Sequence, residues 1–229
     1  MKRLMAIAAL ALAPLGCVAN QGDAPIRFLW ARALVFEEGI GCTASDDFVI
    51  TEGTLDISGG QNYLLAMSVE TNTFQQPITI GQEPMSGEGL GDITLNEYIY
   101  SYEFQPLLNS GAVSLTLPAD EVDRLAAYAV FRPETDPEET YTFVRAFGPG
   151  ALDALRNAIT PGTAVTVLST IKARGRLSGG QVVESNAFTF PVTVISSGFG
   201  GCADGEFASG ACGIAGLGGP IVCIGSDAP

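Results

Sequence analysis

Phe188, Phe190, Val192 and Val194 alternate with Thr189, Pro191 and Thr193. A period of two is the mark of a half-buried β-strand, because successive side chains leave opposite faces of the sheet. The pattern recurs along the chain. Thr54-Leu55-Asp56-Ile57 is closed by Ser58-Gly59-Gly60, Leu65, Met67 and Val69 alternate, and so do Val113, Leu115 and Leu117. Short alternating runs between turn residues predict an all-β fold, an immunoglobulin-like β-sandwich. Pro191 cannot donate to a ladder, so its strand is expected at an edge or with the missing N–H aimed at solvent.

Two finer features follow from the same pattern. Ile93 and Leu95 are odd, whereas Tyr98, Tyr100, Tyr102 and Phe104 are even. A change of face within one strand needs an extra residue, which predicts a bulge at Asn96-Glu97 and a tyrosine row on the core side. Pro118 to Ala129 carries Val122, Leu125, Ala126 and Ala129 at helical spacing, and Pro149 to Ile159 carries Leu152, Leu155 and Ile159. These two segments are expected to be short helices. Between them, Pro133 to Thr140 holds Glu134, Asp136, Glu138 and Glu139 and reads as an acidic loop.

The first residues read as an export signal. Lys2 and Arg3 precede an uncharged apolar run from Leu4 to Ala13, the layout of a secretory signal peptide. Pro14 and the polar residues after it keep that run short of the ~20 apolar residues a membrane-spanning helix needs. Leu15-Gly16-Cys17 resembles the lipobox of bacterial lipoproteins, in which a small residue precedes the cysteine that receives diacylglycerol. Pro14 departs from it, standing where that family usually has Leu. The resemblance implies lipidation at Cys17 and, from Val18, sorting to the outer membrane with the body facing the periplasm or the surface. The expected organisation is a signal at 1–16, a lipidated tether at 17–25, a β body at 26–196 and a Gly/Cys-rich tail at 197–229. The body is either one unit or two divided near 118–140.

With Cys17 acylated, Cys42, Cys202, Cys212 and Cys223 remain. They suffice for two disulfides in an oxidising compartment, with three possible pairings. Three of the four lie in the tail, which favours one bridge within it and one from it to Cys42. Zinc would call for C-x-x-C pairs or histidine, and the sequence has neither.

Charge and residue type narrow the function. Removing Lys2 and Arg3 from the 11 basic residues leaves 9 against 25 acidic ones, a mature net charge of −16. Such a surface repels nucleic acid, which is excluded as a partner. The chain has no histidine, which removes Ser-His-Asp and Cys-His catalysis and histidine-ligated metals. Ser169-Thr170-Ile171-Lys172 matches S-x-x-K, but on a strand its serine and lysine face opposite ways. Lys172, Arg174 and Arg176 form a basic row expected to pair with carboxylates across the sheet. The adjacent pairs Glu37-Glu38, Asp46-Asp47 and Glu138-Glu139 read as solvated surface rather than a hydrolase dyad. Gly213 to Gly219 lacks the residues of a phosphate loop and reads as a flexible disulfide loop. Calcium is the one cofactor the acids suggest, with Asp46, Asp47, Asp136 and Glu138 as candidate ligands.

The strand Val165 to Ala173, the turn Arg176-Leu177-Ser178-Gly179-Gly180, the strand Val183 to Val194 and the cysteine tail together resemble a group of uncharacterised secreted lipoproteins of Gram-negative bacteria. The chain departs from that group at Ile195, near which those proteins often have cysteine. The resemblance implies an address and a shape, and no catalytic or ligand residue. The expected function is a non-enzymatic structural or binding role at the cell envelope, attached to the membrane through a lipid and contacting an envelope protein or a glycan. The alternatives are a calcium-dependent adhesion or glycan-binding module, and a carboxylate-based hydrolase.

Overall fold

The structure is a computed structural model. It describes residues 24–74, 79–81, 83–84, 91–106 and 113–225, so the signal, Cys17 and all but the last two residues of the tether lie outside the described residues. In chain order the elements are β1 (Ile26–Glu37), β2 (Gly41–Ile50), β3 (Gly53–Asp56), β4 (Leu64–Thr71), β5 (Thr79–Ile80), β6 (Glu83–Pro84), β7 (Ile93–Pro106), β8 (Arg124–Phe131), β9 (Tyr141–Arg145), α1 (Pro149–Ala158), β10 (Ala164–Leu177), β11 (Val182–Glu184), β12 (Phe188–Ile195), β13 (Glu206–Ala208) and β14 (Cys223–Gly225).

Two sheets pack as the expected all-β sandwich. One has the order β2-β1-β4-β9 and the other β3-β12-β10-β7-β8, with β11 added to β10. One core joins them: Ile26, Phe28, Leu65, Met67 and Val69 from the first sheet meet Tyr100, Val165, Val167, Ile171, Phe190, Val192 and Val194 from the second. Burial alternates without a break from Val165 to Gly175 along β10, which is what period-two patterning requires of a strand with one wet face.

The bulge lies where the parity change predicts it. Leu95 faces Gly175 and Glu97 faces Arg174, so Asn96 is the extra residue, and the pairing with β8 shifts at the same point. β12 has β10 along one side, while β3 joins its other side only from Val192 onward. Up to Pro191 no strand among the described residues pairs with that other side, which is where a residue without an N–H is tolerated.

Of the two expected helices, only the second forms. Pro118 to Ala129 is instead a turn at 120–122 followed by β8. Leu125 and Ala129 belong as well to a period-two set, Leu125, Ala127, Ala129 and Phe131, all of which pack against the core. Pairing with β7 selected that set, and Glu121 sits at φ 60°, which interrupts any helix. Val113, Leu115 and Leu117 pack against the core, but their segment joins no ladder as a strand.

Helix α1 has Pro149 at N1 and a glycine N-cap, Gly148, that offers no side chain. Its cap comes from elsewhere: Asp123 accepts from the backbone N–H of Gly150 at 3.1 Å and of Ala151 at 2.9 Å. A carboxylate there satisfies two orphan donors and meets the positive end of the helix dipole. Tyr102 donates to the same carboxylate at 2.9 Å and accepts from Gly148 N–H at 2.8 Å. A Cβ on Gly148 would come within 2.5 Å of the Asp123 carboxyl carbon, so only glycine fits.

The tail is more than a tether. Cys42 is bonded to Cys212 and Cys202 to Cys223, one bridge to the body and one within the tail. The Gly/Ala-rich composition nevertheless contributes to the core, contrary to the expectation of a flexible loop. Leu217 is 5% exposed and bridges to Leu55, Ile214 packs beside it, and Ile221 is buried. Gly216, at φ +81°, has its Cα against the Asp56 carbonyl. Gly216 and Gly218 exchange backbone hydrogen bonds with β3, Asp56 N donating to Gly216 O and Gly218 N to Thr54 O, both at 2.9 Å.

Asp56 ties these pieces together. Its buried carboxylate accepts from Ser58 N at 3.0 Å and Ser58 Oγ at 2.7 Å, and from Ser197 N and Ile221 N at 3.1 Å each. Burial alone would raise its pKa, but the donors from Ser197, Ser58 and Ile221 outweigh it and lower the group to about 2. A folded pKa below the unfolded one means stability that is fully present above about 4 and lost as pH falls toward 2, worth about 2 kcal/mol. Denaturant melts across that window are expected to show this loss in the native chain. In Asp56→Asn the melts should be weaker by a similar amount at neutral pH and flatter between pH 4 and pH 2; equal slopes in the two would remove Asp56 from this role.

Candidate functional site

The β1–β2 hairpin breaks register once. Arg32 faces Val49 and Leu34 faces Ala44, so one residue of β1 spans residues 45–48 of β2. Ser45 Oγ accepts from the N–H groups of Asp47 and Phe48 at 3.3 and 3.2 Å, folding the insertion into a turn. Asp46, Asp47, Phe48 and Val49 stand exposed on it. Facing it, the acidic loop folds against β4. Thr71 Oγ1 donates to Arg132 O at 2.7 Å, Val69 N donates to Thr140 O at 3.0 Å, and Asp136 Oδ1 accepts from Glu138 N at 2.8 Å.

Arg32 holds the two walls together. Its Nε donates to Ser68 Oγ at 2.8 Å, Nη1 to Asp46 Oδ1 at 3.1 Å, and Nη2 to the carbonyls of Pro137 and Glu138 at 2.8 and 2.7 Å. The ion pair contributes little, because Asp46 is 91% exposed while Arg32 is buried. The charge-assisted bonds to two carbonyls and a serine, each ~1.5–3 kcal/mol, dominate. Above them lies an open groove of about 720 Å³ lined by Trp30, Arg32, Asp46, Val49, Glu138 and Glu139.

The groove thus combines an indole, carboxylate acceptors on both walls and a fixed guanidinium in its floor. Its carboxylates outnumber its one cation on a chain of net charge −14, so it repels anions. Neutral groups rich in hydroxyls can both accept from the arginine and donate to the acids, with an apolar face against the indole.

The structure separates the calcium candidates more than it gathers them. Asp46 and Glu138 reach the same groove, but a guanidinium bonded to Asp46 lies between the walls, and Asp136 is used by its own turn. Among the described residues, the one group of three potential metal ligands within mutual reach is Cys202, Glu206 and Cys223. Its two sulfurs are joined to each other and are not thiolates. Of the adjacent acid pairs, Glu37-Glu38 sits at the far end of the hairpin, away from the groove.

The remaining sequence candidates are structural. Ser169 is buried and donates to Ala146 O, whereas Lys172 pairs with Glu121 at 2.5 Å, so the S-x-x-K residues are on opposite faces. Lys172, by hydrogen bond and charge, holds the Glu121 carboxyl below its usual range. Arg174 pairs with Glu184 at 2.6 Å and Glu97 at 3.1 Å, as the basic row predicts. Tyr98 and Tyr100 are in the core, sharing hydrogen bonds with Thr142 Oγ1 and Arg145 O at 3.2 and 3.0 Å. Burial pushes the Tyr98 phenol up to about 12 and raises Tyr100 and Tyr102 as well.

Trp30 and Arg32 carry one weak sequence signal, a lone charge inside the apolar run Phe28-Leu29-Trp30-Ala31-Arg32-Ala33-Leu34-Val35. No protein-family model matches the chain, and no curated protein or solved structure matches it.

Arg32→Met is expected to cost about 2–3 kcal/mol in denaturant melts and to free the acidic loop, read as faster amide exchange at Glu139 and Thr140. Arg32→Lys should lose nearly as much, since an ammonium cannot reproduce the fork. Unchanged exchange in both variants would mean that the loop holds itself.

Proposed function

We propose that this protein is a non-enzymatic binding module of the bacterial cell envelope, lipid-anchored at Cys17, whose groove over Arg32 takes a neutral, hydroxyl-rich segment of a glycan. The observation that carries the reading is the groove's make-up: Trp30 beside Arg32, with Asp46, Glu138 and Glu139 around them. Saccharides are held by that combination, an aromatic plate for the apolar ring face and charged groups for the hydroxyls. Two disulfides fit an oxidising, exported environment. Among the described residues no helix is long and apolar enough to cross a membrane. Attachment through an acylated Cys17 is proposed from Leu15-Gly16-Cys17 alone. The outer membrane is the proposed location, on Val18 and the resemblance to secreted lipoproteins.

Trp30 is the chain's one tryptophan, so its fluorescence reports on the groove alone. Titration with peptidoglycan fragments and neutral oligosaccharides is expected to shift and saturate that emission. Asp46→Asn combined with Glu139→Gln, both exposed positions, should weaken binding while leaving the melt unchanged. An emission insensitive to every saccharide offered contradicts the ligand class. An unacylated Cys17 in the mass of the native protein contradicts the anchor independently.

A further inference from the structure

β8 ends the larger sheet and β9 the smaller one, and a hollow of about 390 Å³ opens between them on the flank of the sandwich. Leu64, Leu125, Ala127, Tyr128 and Phe143 supply much of its lining. The hydroxyls of Tyr98 and Thr142, which also reach it, are shared with each other at 3.2 Å. Most of what remains for a ligand is hydrocarbon and ring surface. β8 bulges here: Leu95 faces Ala129 and Glu97 faces Ala126, so Ala127 and Tyr128 stand against Asn96 alone. A bulge bends its strand and interrupts the ladder, so this edge serves as the wall of a hollow rather than as a template for another strand.

A second hollow, of about 420 Å³, adjoins the first, and the two share Leu64 and Arg145, which face each other across β4 and β9. No carboxylate lines either hollow. Arg156, in the second, is engaged: it donates to Gly60 O and lies 3.6 Å from Asp153. Arg145 is not, since among the described residues no carboxylate pairs with it and no acceptor takes its guanidinium N–H groups. By contrast Arg27, Arg32, Arg124, Lys172 and Arg174 are all paired with acids. On a chain of net charge −14, an exposed arginine left over between two hollows without acids is a local reversal of sign. Charges beyond ~8 Å are screened at physiological salt, so Arg145 and not the net charge decides what this flank accepts.

We propose that this flank binds an amphipathic carboxylate, a hydrocarbon chain whose acid group ends at Arg145. A carboxylate matches the planar fork of the guanidinium with two parallel hydrogen bonds. The chain lies along the first hollow, where Leu64, Leu125 and Phe143 take it out of water. Both hollows have the volume of small-molecule sites, ~300–1,000 Å³. The site is distinct from the groove over Arg32, with which it shares no lining residue. It also selects differently: the groove sets acids around a guanidinium already bonded, whereas the flank offers a guanidinium with its donors unused beside an apolar wall.

Calorimetric titration of the purified chain with decanoate is expected to give saturable binding. Decanol, which lacks the charge, should bind at least tenfold more weakly, and acetate, which lacks the chain, should not bind. Arg145→Gln and Arg145→Met change an exposed side chain that has no partner among the described residues, so the melting temperature should stay put while decanoate binding weakens by roughly tenfold or more. Amide shifts on binding should gather at Leu64, Phe143 and Arg145 and leave Trp30 and Arg32 unmoved. A chain that does not bind decanoate overturns the proposal. So does decanol binding as tightly as decanoate, binding that both Arg145 variants leave intact, or shifts that gather at Trp30 and Arg32 instead.

Discussion

The carboxylate of Asp56 is the point on which the rest of the molecule depends. A buried charge with no cation beside it is tolerated only when hydrogen-bond donors replace the water it lost. Here those donors come from three stretches far apart in sequence: Ser58 just after β3, Ser197 just after β12, and Ile221 in the tail. Withdrawing any one leaves the charge undercompensated. The arrangement therefore holds β3 parallel to β12 and holds the tail against both. Leu217 adds apolar burial at the same place, and the bridge from Cys42 to Cys212 closes a separation of 170 residues, a constraint on the unfolded chain worth about 5 kcal/mol in the loop-entropy picture.

That closure reaches the groove over Arg32. The hairpin that carries Cys42 also carries the bulge at 45–48, so the tail braces the strand pair that forms one wall of the Arg32 groove. The tail's pairing with β3 also satisfies that edge of the larger sheet.

What could be read from the sequence was whatever one strand decides for itself. The parity change between Leu95 and Tyr98 located the bulge at Asn96, and the spacing of Leu152, Leu155 and Ile159 after Pro149 located α1. The cysteine distribution anticipated the division into one internal and one bridging disulfide. What was not legible is set between segments. Leu125 and Ala129 satisfy a helical and a strand period equally, and only β7 chooses. Leu217 and Ile221 sit among glycines that carry no pattern, so their burial depends on the surface they meet. Arg32 became a site because the loop at 133–140, over a hundred residues away, presents the carbonyls of Pro137 and Glu138 to it. The acidic residues were visible; the arginine that organises them was not.

The tail folds with the sandwich as one cooperative unit. Native-state amide exchange under mild denaturant tests it directly, by comparing Asp56, Gly218 and Ile221 with core amides such as Val167 and Val192. The tail amides are expected to open only with the core, at the same free energy and with the same denaturant dependence. Tail amides that exchange through a separate, low-energy opening while the core stays protected would contradict it.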